Sequence, residues 1–395
     1  YLGTLVPVIG IIQVGSQSLA DRYTYIPLIG IFIMVTWGLA DSVARWRTGR
    51  AALGIVSAVL LAIFAMMTWK QVSVWKDSES LFRHALSVTN GNYLAYNSLG
   101  VALFGKGNVD EAIGNYQEAI NLKRDYVNAH CNLGVALASR RQYAEALVHY
   151  EECLRIRPGY PDARYNMAIA LEGMGRRDEA LVQYRLILQE YPEHENAHNN
   201  MGYLLASRGD LDGAVRHYLE ALKTDPHNIR VQINLSDALL QKGDMEEALM
   251  YVENALSTEP ENSVLCIKMA RIQEKMGSPD QAIASYQRAL QIDPRSPQVL
   301  YGIASLYAGQ GMTSDALAAL KKLSLARPAD PLVDYNIACL YSRQGSIQES
   351  IRYLKKAIDK GFQEWKTLED DPDMVNVRGS IMFKKIMKDT TSQDK

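Results

Sequence analysis

Two groups of residues in this chain have types and spacing that could do chemistry. The first is Asp21-Arg22-Tyr23 with Tyr25 two residues on, directly before an apolar stretch that starts at Ile26. A guanidinium at a membrane surface can hold a phosphate through paired hydrogen bonds. The same four residues also read as an interfacial anchor, with tyrosines at headgroup level and a snorkelling arginine. The second group is a column of carboxamides. Asn132, Asn166, Asn200, Asn234 and Asn336 recur at multiples of 34 residues, with Lys268 and Gly302 interrupting them. A carboxamide both donates and accepts, so a ladder of them can grip an extended peptide backbone without reading its sequence. Tyr165, Asn199, Tyr203, Asp237, Arg271, Tyr301 and Tyr335 stand beside that column as a mixed polar and aromatic lining. The several lysines that would clamp a C-terminal carboxylate are missing from it.

Other strings with chemical overtones fail on context. His194-Glu195-Asn196-Ala197-His198 matches the zinc-protease pattern, but it straddles a boundary between repeating blocks just after Pro192. Gly100 to Gly107 approximates a phosphate loop around Gly105-Lys106, yet lacks the following Ser or Thr and does not follow a strand. The sequon Asn234-Leu235-Ser236 points into the array. Cys131, Cys153, Cys266 and Cys339 fall in unrelated columns, which predicts four single core residues and no disulfide framework or metal site. With a net charge of −2 and no basic stripe, no nucleic-acid partner is expected. No cofactor, metal ligand set or catalytic base is assigned.

The elements that position the second group follow from a strict period. Eight consecutive blocks of 34 residues run from Tyr93 to Glu364 without insertion: 93–126, 127–160, 161–194, 195–228, 229–262, 263–296, 297–330 and 331–364. Column eight is small (Gly100, Gly134, Ala168, Gly202, Ser236, Ala270, Ala304, Ala338), as is column twenty, from Ala112 to Ser350. Small residues there let two helices approach closely, Gly202 against Ala214 for instance. Column twenty-four supplies the large knob, with Tyr116, Tyr150, Tyr184, Tyr218 and Tyr286. Column fifteen is glycine except for Arg141, and suits the left-handed turn that ends a helix. Proline closes most blocks at column thirty-two. This pattern resembles the tetratricopeptide repeat (TPR), a helix–turn–helix unit that stacks into an all-α solenoid. In such arrays the first helix of each unit lines the concave face, where the asparagine column lies. Asparagine also fills this column in arrays that bind nothing through it. Residues 75–92 read as a half-repeat linking helix, and 365–395 as a capping helix and polar tail.

Residues 1–74 read as the C-terminal fragment of a membrane domain with about three transmembrane helices. Ala51 to Trp69 is 19 residues without charge, Ile26 to Ala40 is 15, and Tyr1 to Gly15 is uncharged and begins without methionine. The expectation is that the first helix is cut. None of the three stretches has the form of a signal peptide. Arg45, Arg47 and Arg50 in a short loop predict that this loop is cytoplasmic. The array and the Asp21–Tyr25 loop then lie outside the cytoplasm, in a periplasm or lumen. Lys70 and Lys76 beside the third helix weaken the asymmetry.

Two segments carry a more specific resemblance. Gly15 to Pro27, with its acidic-Arg-x-x-Tyr-x-Pro pattern at Asp21, Arg22, Tyr25 and Pro27, is one; Trp75, Ser78 to Phe82 and Asn92 to Gly100 form the other. They resemble the transmembrane-and-TPR protein O-mannosyltransferases and their bacterial relatives. The resemblance implies a GT-C-type fold, a polyprenyl-phosphate sugar as donor substrate and protein Ser/Thr as acceptor. With such a donor, Arg22 is the candidate holder of its phosphate, with Asp21 orienting it and Tyr23 or Tyr25 lining the site; the anchor reading stays open beside it. The family's catalytic carboxylate lies in a loop that has no counterpart in this chain. On this reading the array presents the acceptor polypeptide. The alternative is a non-enzymatic, membrane-tethered scaffold for protein assembly.

The arginine loop gives a direct expectation. An alkaline phosphatase reporter fused after Asn92 should be active, because that point lies outside the cytoplasm. Activity only of a cytoplasmic reporter at the same point would overturn the orientation.

Overall fold

A computed structural model describes residues 76–364, 368 and 370–391, with positions 38, 55, 56, 58, 59, 62, 63, 66 and 69 ahead of them. Asp21, Arg22, Tyr23, Tyr25, Arg45, Arg47 and Arg50 lie outside the described residues. Within the 51–69 stretch, Ile55, Val56, Val59, Ile63, Met66 and Trp69 are exposed and helical. Among the described residues no helix is long and apolar enough to cross a membrane.

The chain divides into two compact units, one ending at Ala136 and one starting at Leu137. The first holds α1 (Ser78–Val88), α2 (Tyr93–Gly105) and α3 (Val109–Leu122), with α4 (Val127–Ser139) running through the boundary. Asp77 caps α1 by accepting from the Ser80 N–H, and Asn92 caps α2 by accepting from Ala95. Arg83 ties α1 to α3 through Glu111 at 2.6 Å, and Lys106 ties α2 to Glu79 at 2.8 Å.

The second unit continues as α5 (Tyr143–Ile156), α6 (Pro161–Gly173), α7 (Arg177–Glu190), α8 (Glu195–Ser207), α9 (Leu211–Thr224), α10 (Ile229–Lys242) and α11 (Met245–Thr258). There follow α12 (Ser263–Lys275), α13 (Pro279–Ile292), α14 (Pro297–Gly309), α15 (Thr313–Ala326), α16 (Pro331–Arg343) and α17 (Ile347–Asp359). Each first helix stops one or two residues before column fifteen, whose φ is positive in every block. The glycines there span φ from 70 to 99°, and Arg141 adopts 62° without glycine's freedom. Buried aliphatic residues of successive helices, from Ala214 to Leu340, merge into one continuous core. A short 3-10 turn (Pro372–Met374), α18 (Val375–Arg378) and α19 (Ile381–Thr391) close it. Phe362, Leu368, Met374, Val377, Phe383 and Ile386 bury themselves there against Tyr335, Ile351 and Leu354.

One expectation is extended and another needs correction. Columns eight and twenty meet, with Ser236 donating to the Ala248 carbonyl at 2.9 Å and Ser350 to the Ala338 carbonyl at 2.7 Å, but a column-eight glycine also lies directly against the tyrosine ring of column twenty-four. A Cβ on Gly202 would stand 2.8 Å from the Tyr218 ring, and one on Gly100 would stand 2.5 Å from the Tyr116 ring. The cysteines are also not four of a kind. Cys131 and Cys153 are disulfide-bonded, whereas Cys266 and Cys339 are free and buried. Both bonded cysteines belong to the 127–160 block, a bonding state that column positions compared across blocks conceal.

The ring contact makes Gly202→Val a direct test. A branched side chain must push the fully buried Tyr218 ring aside, at a cost of roughly 1–3 kcal/mol. The thermal midpoint of the protein should fall accordingly. An unchanged midpoint would refute the packing described here.

Candidate functional site

Columns five and six of the first helices face each other from one repeat to the next. In the first unit, Asn132 donates to Asn97 at 2.9 Å. In the second, Asn234 donates to the Asn199 carbonyl at 3.0 Å, and Asn199 donates to Asn200 at 3.0 Å. Asn200 in turn donates to the hydroxyls of Tyr165 at 3.1 Å and Tyr184 at 3.0 Å. The Tyr184 hydroxyl donates to Glu172 at 2.5 Å. Burial raises the Glu172 carboxyl above its usual range, and burial followed by Glu172 raises the Tyr184 phenol. A buried polar chain of this kind must be satisfied throughout, and this one spans three repeats.

The carboxamide ladder is therefore largely spent on the protein itself. Asn199 is only 3% exposed. Asn166 and Asn336 remain half-buried and make no hydrogen bond among the described residues. The two interruptions have structural causes. Lys268 pairs with Asp237 of the preceding repeat. At Gly302 a Cβ would stand 2.8 Å from the Tyr286 hydroxyl, so the ring occupies the space a side chain would need. That hydroxyl donates to Glu274 at 3.2 Å, and burial followed by Glu274 pushes its pKa up to about 12.

The aromatic candidates divide in the same way. Tyr203 and Tyr301 are 56% and 55% exposed and offer faces to a ligand. Tyr165 is half-buried, its ring tilted against His194. Tyr335 is 6% exposed and does not line an open groove. It stacks on Phe362 at 4.5 Å and donates its hydroxyl to Asp371 at 2.5 Å. Burial first, then this bond, raises its pKa. Asp371 thus reaches the groove from beyond the last perfect block. Periodic reading missed it because the C-terminal segment is off-period.

A second set of contacts also escaped the columns. Arg208 bonds to Asp178 at 2.5 Å, Lys242 to Asp212 at 3.0 Å and Gln310 to Asp280 at 2.9 Å. Each joins column fourteen of one block to column eighteen of the block before. Such exposed ties contribute about 0–1 kcal/mol each and mainly fix register. The residues of the zinc-protease string have local roles. His194 accepts from the Ala197 N–H as the cap of α8, and His198 contacts His217 at 2.9 Å and the Pro192 carbonyl at 2.8 Å.

Comparison with known proteins fits this geometry. A TPR repeat model matches residues 100–140, and a tetratricopeptide repeat model matches residues 137–202, 205–249, 239–284 and 275–338. A further tetratricopeptide repeat model covers 335–359. The second of these alone takes in half of the chain. The chain belongs to the tetratricopeptide repeat family.

Among curated relatives, this TPR chain is 31% identical over 116 residues to the protein O-mannosyl-transferase Tmtc3 of Drosophila melanogaster, covering 28% of the chain and 12% of that protein. It is 30% identical over 112 residues to the protein O-mannosyl-transferase TMTC1 of Homo sapiens, covering 28% and 13%. The match thus spans about an eighth of the length of these relatives. Among solved structures, the C-terminal part of a TPR repeat-containing protein from Cytophaga hutchinsonii superposes with a TM-score of 0.53 at 15% identity. It covers 67% of this chain and 98% of that one, which establishes the shared fold.

The two kinds of asparagine should behave differently when removed. Asn200→Ala takes a partner from two tyrosine hydroxyls and should cost about 1–2 kcal/mol. Asn166→Ala removes no hydrogen bond and should stay within about 0.5 kcal/mol. Denaturant midpoints of the two variants check this. Equal losses would contradict the network.

Proposed function

We propose that the TPR array binds an extended polypeptide along the faces of its first helices. In the parent protein it would hold that polypeptide for sugar transfer from a polyprenyl-phosphate donor to Ser/Thr. The observation that carries this reading is the groove of the second unit. There a rigid, internally satisfied polar spine flanks unspent groups at Asn166 and Asn336 and open aromatic faces at Tyr203 and Tyr301. Rigid aromatic faces and free carboxamides suit a backbone ligand with few side-chain demands. Similarity to protein O-mannosyl-transferases supplies the link to sugar transfer.

On this reading residues 1–74 insert in the membrane, with Arg22 at the donor phosphate and Asp21, Tyr23 and Tyr25 around it. The array then faces an oxidising compartment, a periplasm or lumen. The disulfide-bonded state of Cys131 and Cys153 supports that placement, since disulfides persist in such compartments. A membrane-tethered scaffold without chemistry is the second reading. It draws on the same groove, and on the fact that no catalytic base is assigned in this chain.

The test is transfer of a labelled sugar from polyprenyl phosphate to a peptide by the full-length protein. Arg22→Ala should abolish transfer with insertion intact, and Arg22→Lys should recover part, because a point charge cannot make the paired contact. Asn166→Ala combined with Tyr203→Ala should raise the peptide concentration required without altering donor hydrolysis. Peptide binding with no transfer in the unaltered full-length protein would leave the scaffold. Full transfer by Arg22→Ala would reduce its loop to an anchor.

A further inference from the structure

A cavity of about 180 Å³ opens where the groove meets the C-terminal segment. Tyr301 and Ser305 of α14, Asn336 and Arg343 of α16, and Asp371 and Asp373 line it. Small-molecule sites run to roughly 300–1,000 Å³, so this one suits a single long side chain better than a cofactor.

Its polar lining leaves several acceptors open. The Asp373 carboxylate has a loose approach from the Arg343 Nε at 3.8 Å. The hydroxyls of Tyr301 and Ser305 and the carboxamide of Asn336 make no hydrogen bond among the described residues. The guanidinium groups nearby are partly committed. Arg343 donates to the Ala308 carbonyl at 3.2 Å, and Arg378 donates to the main-chain carbonyl of Asp371. The Asp371 carboxylate is itself satisfied, by the Tyr335 hydroxyl, the Cys339 thiol and the Asp373 N–H. The hydroxyls and the carboxamide can all accept, and the lining has two carboxylates against one guanidinium, so it favours a group with several donors and no acceptor. Among side chains these are the lysine ammonium and the arginine guanidinium. A bond from either to a carboxylate is roughly twice as strong as a neutral one.

We propose that this cavity anchors a lysine or arginine side chain of the polypeptide in the groove. The inference rests on the groove reading above and adds a register to it. Backbone contacts hold a peptide at any offset, whereas one cationic seat fixes which residue lies at the C-terminal end.

The experiment is fluorescence anisotropy with the full chain in detergent. The probes are two labelled Ser/Ala peptides, identical except that a single lysine is replaced by norleucine. The lysine peptide should bind about tenfold more tightly, equivalent to about 1.4 kcal/mol. Asp373→Asn should abolish the difference and leave norleucine-peptide binding unchanged, and Asn336→Ala should reduce it. Equal affinity of both peptides for the unaltered protein overturns the anchor and leaves the groove reading standing. Binding of neither peptide overturns both. A preference that survives Asp373→Asn combined with Asn336→Ala also overturns the anchor, because the cation then sits elsewhere.

Discussion

The array depends on the close approach of two helices at a column of small residues, which in two repeats is a tyrosine ring seated against a glycine. Tyr116 on Gly100 and Tyr218 on Gly202 bring two helix backbones to a separation that a methyl group would prevent. The ring is large enough to fill the space and flat enough to leave no void. Its hydroxyl emerges on the far side and must be satisfied, so the contact that packs a repeat also generates a polar group at the groove. Tyr184 and Tyr286 give theirs to Glu172 and Glu274, one carboxylate in the equivalent position of each block. Packing and groove chemistry are thus two ends of one side chain.

That coupling explains why a periodic column is not a periodic surface. Asn200 sits where a tyrosine hydroxyl from the preceding repeat needs a donor. Gly302 sits where the equivalent ring lies too close for any side chain. Lys268 has exchanged the carboxamide for an ion pair with Asp237. The same column therefore serves as a brace, a clearance or a charge pair, according to the neighbour it meets.

The solenoid was legible in the sequence because its period is exact to the residue and its small and large columns alternate. The groove was legible only in outline. Column reading compares a residue with its equivalents 34 positions away, but the decisive partners lie 35 away, as with Asn132 to Asn97, Asn200 to Tyr165 and Asn234 to Asn199. The tie between columns fourteen and eighteen was present as basic or amide residues facing acidic ones, and needed a pairing across blocks to be noticed. Asp371 and Asp373 carried no periodic signal. The off-period turn at Pro372 places them, and only burial of Leu368, Met374 and Val377 fixes that turn against the last repeat.

The chain from Glu172 through Tyr184, Asn200 and Asn199 to Asn234 has a mechanical meaning. Contacts between neighbouring apolar faces slide at little cost, whereas directional bonds resist shear until they break. The blocks 161–194, 195–228 and 229–262 are stitched by such bonds in the groove, whereas at Gly302 the junction relies on Gln310 to Asp280 and Gln287 to Tyr307 away from that column. The asparagine column therefore braces the second unit unevenly, and near Gly302 other side chains take over its work of joining one repeat to the next.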